Sequence, residues 1–183
     1  MGKVYPEIET RLAKFIENQH LFFVATAPLA GQGLINLSPK GLDTFSILDP
    51  HTVAYLDLVG SGVETVAHLR ENGRIVLMFC AFEGPPNIVR LHGSGEAVEP
   101  GDDEWDDLIA NFPARRAARS VVRVAVDRIS DSCGFGVPLY SFQGERDALD
   151  TWAEKRGDEG LRSYRNENNR KSVDGLPGLR REL

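Results

Sequence analysis

The stretch that decides the fold runs from Gly33 to Phe79 and reads GLINLSPKGLDTFSILDPHTVAYLDLVGSGVETVAHLRENGRIVLMF. In its opening INLSPKG, Pro39 stops a strand and Gly41 permits a tight turn, so Asn36, Ser38 and Lys40 take alternating positions on one face of a strand end. An amide, a hydroxyl and an ammonium placed this way form either a polar clasp or a solvated turn. Val53 to Asp57 has the β-branched and aromatic content of a strand, and Val59 to Gly62 breaks it. Ser61 is followed three positions later by Glu64, and then by Val66 and Leu69, a capping-box pattern that predicts a helix near 62–71. Such a helix start carries unpaired N–H groups and the positive end of the dipole, which suits a phosphate, with the Ser61 and Thr65 hydroxyls as further donors. Glu64 argues the other way, because a reciprocal cap on Ser61 would fill the N-terminus and repel an anion. A phosphate site and an ordinary capped helix both remain open on this segment alone.

Outward from this stretch the pattern is dominated by strands. Ile8, Leu12, Phe15 and Ile16 recur at helical spacing and predict an amphipathic helix over 6–18. Strands are expected near 21–27, 33–37, 43–48, 52–57, 74–82 and 87–98, with Glu83-Gly-Pro-Pro-Asn87 as the hairpin connection between the last two. Residues 102–118 read as a helix with an acidic first turn and Arg115, Arg116 and Arg119 towards its end. Residues 119–129 alternate as a half-buried strand. Ser132 to Pro138 is dense in glycine, so its backbone turns sharply and can approach a ligand closely. A short strand at 139–142 and a helix at 146–165 follow. The polar tail after it is expected to bury little core, and its Ser172-Val-Asp-Gly-Leu-Pro-Gly turn to dock on a neighbouring subunit.

Composition narrows the function classes. With 183 residues, 42% apolar and 26% charged, the chain suits one well-buried soluble domain. A net charge of −6 argues against a nucleic-acid surface. No apolar run is long enough to span a bilayer and the N-terminus lacks a signal-peptide core, so no membrane partner and a cytoplasmic location are expected. Cys80 reads as a packed core thiol. Cys133 has no companion histidine or cysteine to make it a nucleophile. His20, His51, His68 and His92 show no metal-ligand spacing, so no metal is expected.

The order of strand, Asn-Leu-Ser-Pro-Lys-Gly turn, strand, Gly-Ser-Gly turn, helix and Asn-Gly-Arg strand resembles the pyridoxamine 5′-phosphate oxidase-like, FMN-binding split barrels, over roughly residues 8–130. The resemblance implies an α+β, mainly β fold: a six-stranded antiparallel split β-barrel with flanking helices. Residues 1–183 would form one domain, with 1–145 as barrel and helices and 146–183 as C-terminal helix and tail. Lys40 matches the family's strand-end basic position, Ser61 the serine of its turn, and Asn72-Gly-Arg74 its Asn-Pro-Arg. The well-known oxidases carry basic residues directly after that serine, whereas here Gly62, Val63 and Glu64 follow, so Arg70 or Arg74 is the expected substitute charge. The implied cofactor set is Asn36, Ser38, Lys40, Ser61, Gly62, Thr65, Arg70 and Arg74.

In that family the cofactor lies between two subunits, which implies a homodimer in which Cys133, Gly134 and Gly136 reach across to the other chain's pocket. The implied function is an FMN-dependent oxidoreductase acting on a small molecule, the flavin supplying the reactive atom. The alternative is a non-catalytic protein that holds a flavin, a deazaflavin or haem, with His92 as the first haem ligand to test, or one with no cofactor. Pyridoxamine phosphate oxidation itself would need an arginine- and histidine-bearing site near the C-terminus, a pattern this segment lacks.

Overall fold

Alternating burial builds the sheet. In β2 (Phe22–Thr26) Phe22, Val24 and Thr26 are buried while Phe23 and Ala25 are half-buried, the two-residue period of a strand with one face on the core. The structure, a computed structural model, describes residues 2–181. The other elements are β1 (Val4–Tyr5), α1 (Thr10–Glu17), β3 (Asn36–Lys40), β4 (Phe45–Asp49), β5 (Thr52–Leu58), α2 (Glu64–Asn72), β6 (Arg74–Cys80), β7 (Ile88–Val98), α3 (Trp105–Ile109), β8 (Ala118–Ser132) and α4 (Ala148–Asn168). The strands run antiparallel in the order β3-β2-β6-β7-β8-β5-β4, with β1 added to β8.

This sheet curls on itself. Phe45 of β4 packs against Phe22 and Phe79, with ring centroids 5.3 and 4.9 Å apart, and Tyr55, Leu77, Leu91, Val122 and Val124 fill the same interior. Leu12 and Ile16 of α1 pack against it too. On the opposite face of the sheet Ala54, Leu56, Val98 and Val121 pack with Leu108 and Phe112, the residues around α3. β3 and β4, the two ends of the strand path, share no ladder, and this is the split of the barrel. The α+β split barrel with flanking helices is therefore present, with eight strands among the described residues rather than six.

Several elements differ from their sequence expectations for identifiable reasons. β3 runs through Pro39 instead of stopping there, because β3 is an edge strand whose only neighbour is β2 and a proline N–H is not needed on the open side. The helix expected over 102–118 shortens to α3, since Pro113 can neither donate to nor sterically fit a continuing helix. Residues 139–142 are not a strand: Tyr140 N–H donates to the Phe82 carbonyl at 2.9 Å and no ladder follows. α4 is broken at Gly157, whose φ of 63° lies in the left-handed region. The C-terminal tail also departs from expectation. It folds back onto its own chain, with Asn169, Ser172 and Leu179 buried.

Candidate functional site: a polar cavity at the barrel seam

Lys40, at the end of β3, reaches over the seam to Asp57 in β5, with Nζ 3.1 Å from Oδ1. Asp57 has no exposed surface. Its second carboxylate oxygen accepts from Arg119 Nε at 2.6 Å and from Ser120 Oγ at 3.2 Å, both on β8. Burial alone would push this carboxyl up, but the Arg119 guanidinium and the Lys40 ammonium outweigh it and hold the group down at about 2. Arg119 spends a second donor, Nη1, on the Gly62 carbonyl at 2.8 Å, so one buried side chain ties β5 to the Gly60–Gly62 turn.

Lys40 and Arg119 line a cavity of about 300 Å³ together with Asn36, Ser38, Ser61, Gly62, Glu64 and Thr65. Two cations against the one buried carboxylate leave a unit of positive charge at its base, which the Glu64 carboxylate at the rim formally balances. The ammonium has three donors, of which Asp57 takes one. Along the wall Ser38 Oγ donates to Asn36 Oδ1 at 3.0 Å, and Asn36 Nδ2 donates to Thr65 Oγ1 at 2.9 Å and Thr26 Oγ1 at 3.1 Å. Thr26 Oγ1 in turn lies 2.9 Å from Nδ1 of the fully buried His68, whose basicity burial lowers. This chain of bonds locks the rotamers of the wall. A wider hollow of about 580 Å³ lies elsewhere, beside Phe82, Tyr140 and Phe142, but its walls are mainly apolar.

The helix start differs from the capping box. α2 begins at Glu64 with Val63 as N-cap and no side-chain cap, so Ser61 is left in the turn before it. Glu64 Oε1 instead accepts the backbone N–H of Val173 from the tail at 3.2 Å. Helix α2 ends at Gly73, which takes φ 71° and returns its N–H to the Leu69 carbonyl at 2.9 Å, the left-handed C-cap that the Asn72-Gly-Arg74 sequence provides.

Six of the eight proposed cofactor residues, Asn36, Ser38, Lys40, Ser61, Gly62 and Thr65, thus meet at one cavity. Arg70 and Arg74 do not join them. Arg70 points to the other side of α2, where it pairs with the buried carboxylate of Glu99. Arg74 is tied by its Nε to Asn72 Oδ1 at 3.1 Å and by Nη2 to the Pro28 carbonyl at 3.3 Å. The charge expected from these two arginines comes instead from Arg119, which the sequence places only at the junction of a helix ending near 118 and a strand beginning at 119. Asp57 was likewise missed; an acidic residue inside a strand otherwise rich in Val, Tyr and Leu is the signal that could have found it. Cys133 is exposed, and Gly134, at φ 64°, packs closely on the Asn87 backbone. Gly136 lies in the same turn, in the segment that exposes Phe135 and Leu139. His92 is exposed on β7, opposite Arg128, and among the described residues no three His, Cys, Asp or Glu side chains gather as a metal site.

The family model for pyridoxamine 5′-phosphate oxidase matches residues 8–133. This chain belongs to the pyridoxamine 5′-phosphate oxidase family. A relative from Aspergillus flavus, the pyridoxamine 5′-phosphate oxidase family protein ustO, is 38% identical over 192 residues, covering 96% of this chain and 77% of the relative. Among solved structures, HupZ from Group A Streptococcus superposes with a TM-score of 0.51 at 23% identity, over 67% of this chain and 91% of that one. The FAD binding protein from Mycobacterium smegmatis gives a TM-score of 0.50 at 15% identity, over 71% of this chain and 97% of that one. At these identities the structures establish the shared fold. The family match ends at residue 133, so α4 and the tail lie beyond the part that the pyridoxamine 5′-phosphate oxidase model describes.

Proposed function

We propose that this protein binds FMN at the barrel seam and uses it as an oxidoreductase on a small molecule. The observation that carries the reading is the convergence of Lys40, Arg119, Ser61 and the Asn36–Ser38–Thr65 wall on one cavity. Lys40 would hold the phosphate with its two remaining N–H donors, Ser61 would donate to it, and Asn36, Ser38 and Thr65 would meet the ribityl hydroxyls. Arg119 would supply fixed positive charge from beneath. When bound, the flavin supplies hydride and electron transfer, while the chain binds, orients and neutralises. Family membership and a fold neighbour named as FAD-binding support a flavin in this place.

The cavity is at the small end of ligand sites, which run from roughly 300 to 1,000 Å³, so it suits the phosphate and ribityl chain rather than a whole flavin. The ring system would then extend out of the cavity and need a second cover. Leu34 and Ile35 just before the edge strand β3 and Leu37 within it are 59%, 78% and 64% exposed, Ile35 and Leu37 on the face of the strand opposite Asn36 and Ser38. A homodimer that buries this edge would provide that cover and remove an apolar sheet edge from water. The exposed turn holding Cys133, Gly134 and Gly136 is the proposed cross-subunit element. Among the described residues no helix is long and apolar enough to cross a membrane. Anaerobic reduction by NAD(P)H followed by reoxidation tests the enzymatic part: bound flavin that never turns over makes this a flavin-sequestering protein instead.

A further inference from the structure

After α4 the chain turns back across the molecule and is anchored on the Gly60–Gly62 turn, on the start of α2 and on the residue two before β3, and at its far end on Glu99 after β7, away from the cavity. Asn169 has no exposed surface; its Nδ2 donates to the Gly60 carbonyl at 2.9 Å, and its own carbonyl accepts the Leu179 N–H at 2.8 Å. Ser172 closes a tight turn with Leu176. From that turn the Val173 N–H holds the Glu64 carboxylate, and Asp174 Oδ2 accepts the Leu34 N–H at 2.8 Å just before β3. Leu179 packs on Val63 and Val66 at the start of α2. Beyond it the backbone N–H groups of Arg180 and Arg181 both donate to the buried Glu99 carboxylate, which latches the end of the segment.

We infer that residues 169–181 are a strap that fixes the Gly60–Gly62 turn for its ligand, and that Asn169 is a positioning residue for that turn. This rests on the FMN reading above. A turn with glycine on both sides of Ser61 samples a wide range of backbone conformations unless something outside it intervenes. Here both flanking carbonyls are taken: Asn169 holds Gly60 and Arg119 holds Gly62, so Ser61 is held between two side chains that are themselves buried. Pre-ordering of this kind removes the conformational cost from ligand binding and raises affinity without any contact between Asn169 and the ligand. The strap also keeps one Glu64 oxygen engaged at the rim, limiting the repulsion that this carboxylate offers a phosphate. The expected specificity is for the phosphorylated flavin, since the turn faces the phosphate and not the ring.

The test compares wild type with Asn169→Ala in two ways. Equilibrium titration should show FMN binding weakened about tenfold and riboflavin, which lacks the phosphate, unchanged within about twofold. Amide hydrogen exchange in the ligand-free protein should be faster at Val59 and Ala67, whose N–H groups donate to the Ala117 and Val63 carbonyls on either side of the turn. Equal losses for FMN and riboflavin would overturn the inference, because they would mark a general structural effect, and so would unchanged exchange at Val59 and Ala67. If Asn169→Ala does not fold, Asn169→Ser, too short to reach the Gly60 carbonyl, carries the same expectations. The exchange arm reads the tether with no ligand present, so a wild-type protein that fails to distinguish FMN from riboflavin would count against the phosphate reading and not against the tether.

Discussion

Replacing Asp57 by asparagine is the sharpest perturbation of the seam. The carboxylate is fully buried and receives Lys40, Arg119 and Ser120, and asparagine keeps its shape while removing its charge. Lys40 and Arg119 are then left close together with no counter-charge, a broken buried network that costs about 3–5 kcal/mol. One part of that loss follows from proton linkage. The native carboxyl lies at about 2 against an ordinary 3.8, and at 1.36 kcal/mol per decade this amounts to about 2 kcal/mol. Because the native value is depressed, this contribution is fully present above pH 3.8 and is lost as pH falls through about 2. Urea unfolding of wild type and Asp57→Asn over this range should give a stability difference that is constant near neutrality and shrinks by about 2 kcal/mol towards pH 2. A difference under about 1 kcal/mol at neutral pH, or one that stays constant down to pH 2, would refute the argument that Asp57 is the ionised hub of the seam.

Other outcomes follow from the same geometry. Lys40→Ala should weaken FMN binding by about 1.5–3 kcal/mol, a charge-assisted contact, and Ser61→Ala by about 1 kcal/mol, a neutral one. Arg70→Ala and Arg74→Ala, which remove side chains engaged elsewhere, should leave it within about twofold; flavin fluorescence quenching measures all four. Sedimentation should find a homodimer with two equivalent sites, in which dilution releases ligand and separates subunits together; a monomer that binds one flavin per chain at low micromolar concentration would remove the cross-subunit role of the Cys133 turn.

What the sequence reveals of the site depends on how local each signal is. Asn36, Ser38 and Lys40 are legible because a strand's two-residue period places them on one face, and Ser61 and Thr65 because they sit where a strand gives way to a helix. Arg119 and Asp57 find each other across 62 positions, and no local pattern distinguishes a buried arginine in β8 from its neighbours Arg115 and Arg116. The capping box failed for a similar reason: Ser61 and Glu64 have the right spacing, but a tail more than a hundred residues away supplies a better-placed donor to Glu64. Polarity misled in the tail as well, since Asn169 and Ser172 are buried by hydrogen bonding rather than by apolar packing. Pro113 and Pro39 show the limits of single-residue rules, the first ending a helix as proline should, the second tolerated because its strand lies at an edge.

The central claim is that the seam cavity holds a phosphorylated flavin. Titration of the purified protein with FMN, followed by the shift of the flavin absorption bands and compared with riboflavin, tests it most directly. The account predicts saturable binding of one FMN per chain with a clear preference over riboflavin. A protein that is colourless as purified and stays colourless after incubation with excess FMN would contradict it.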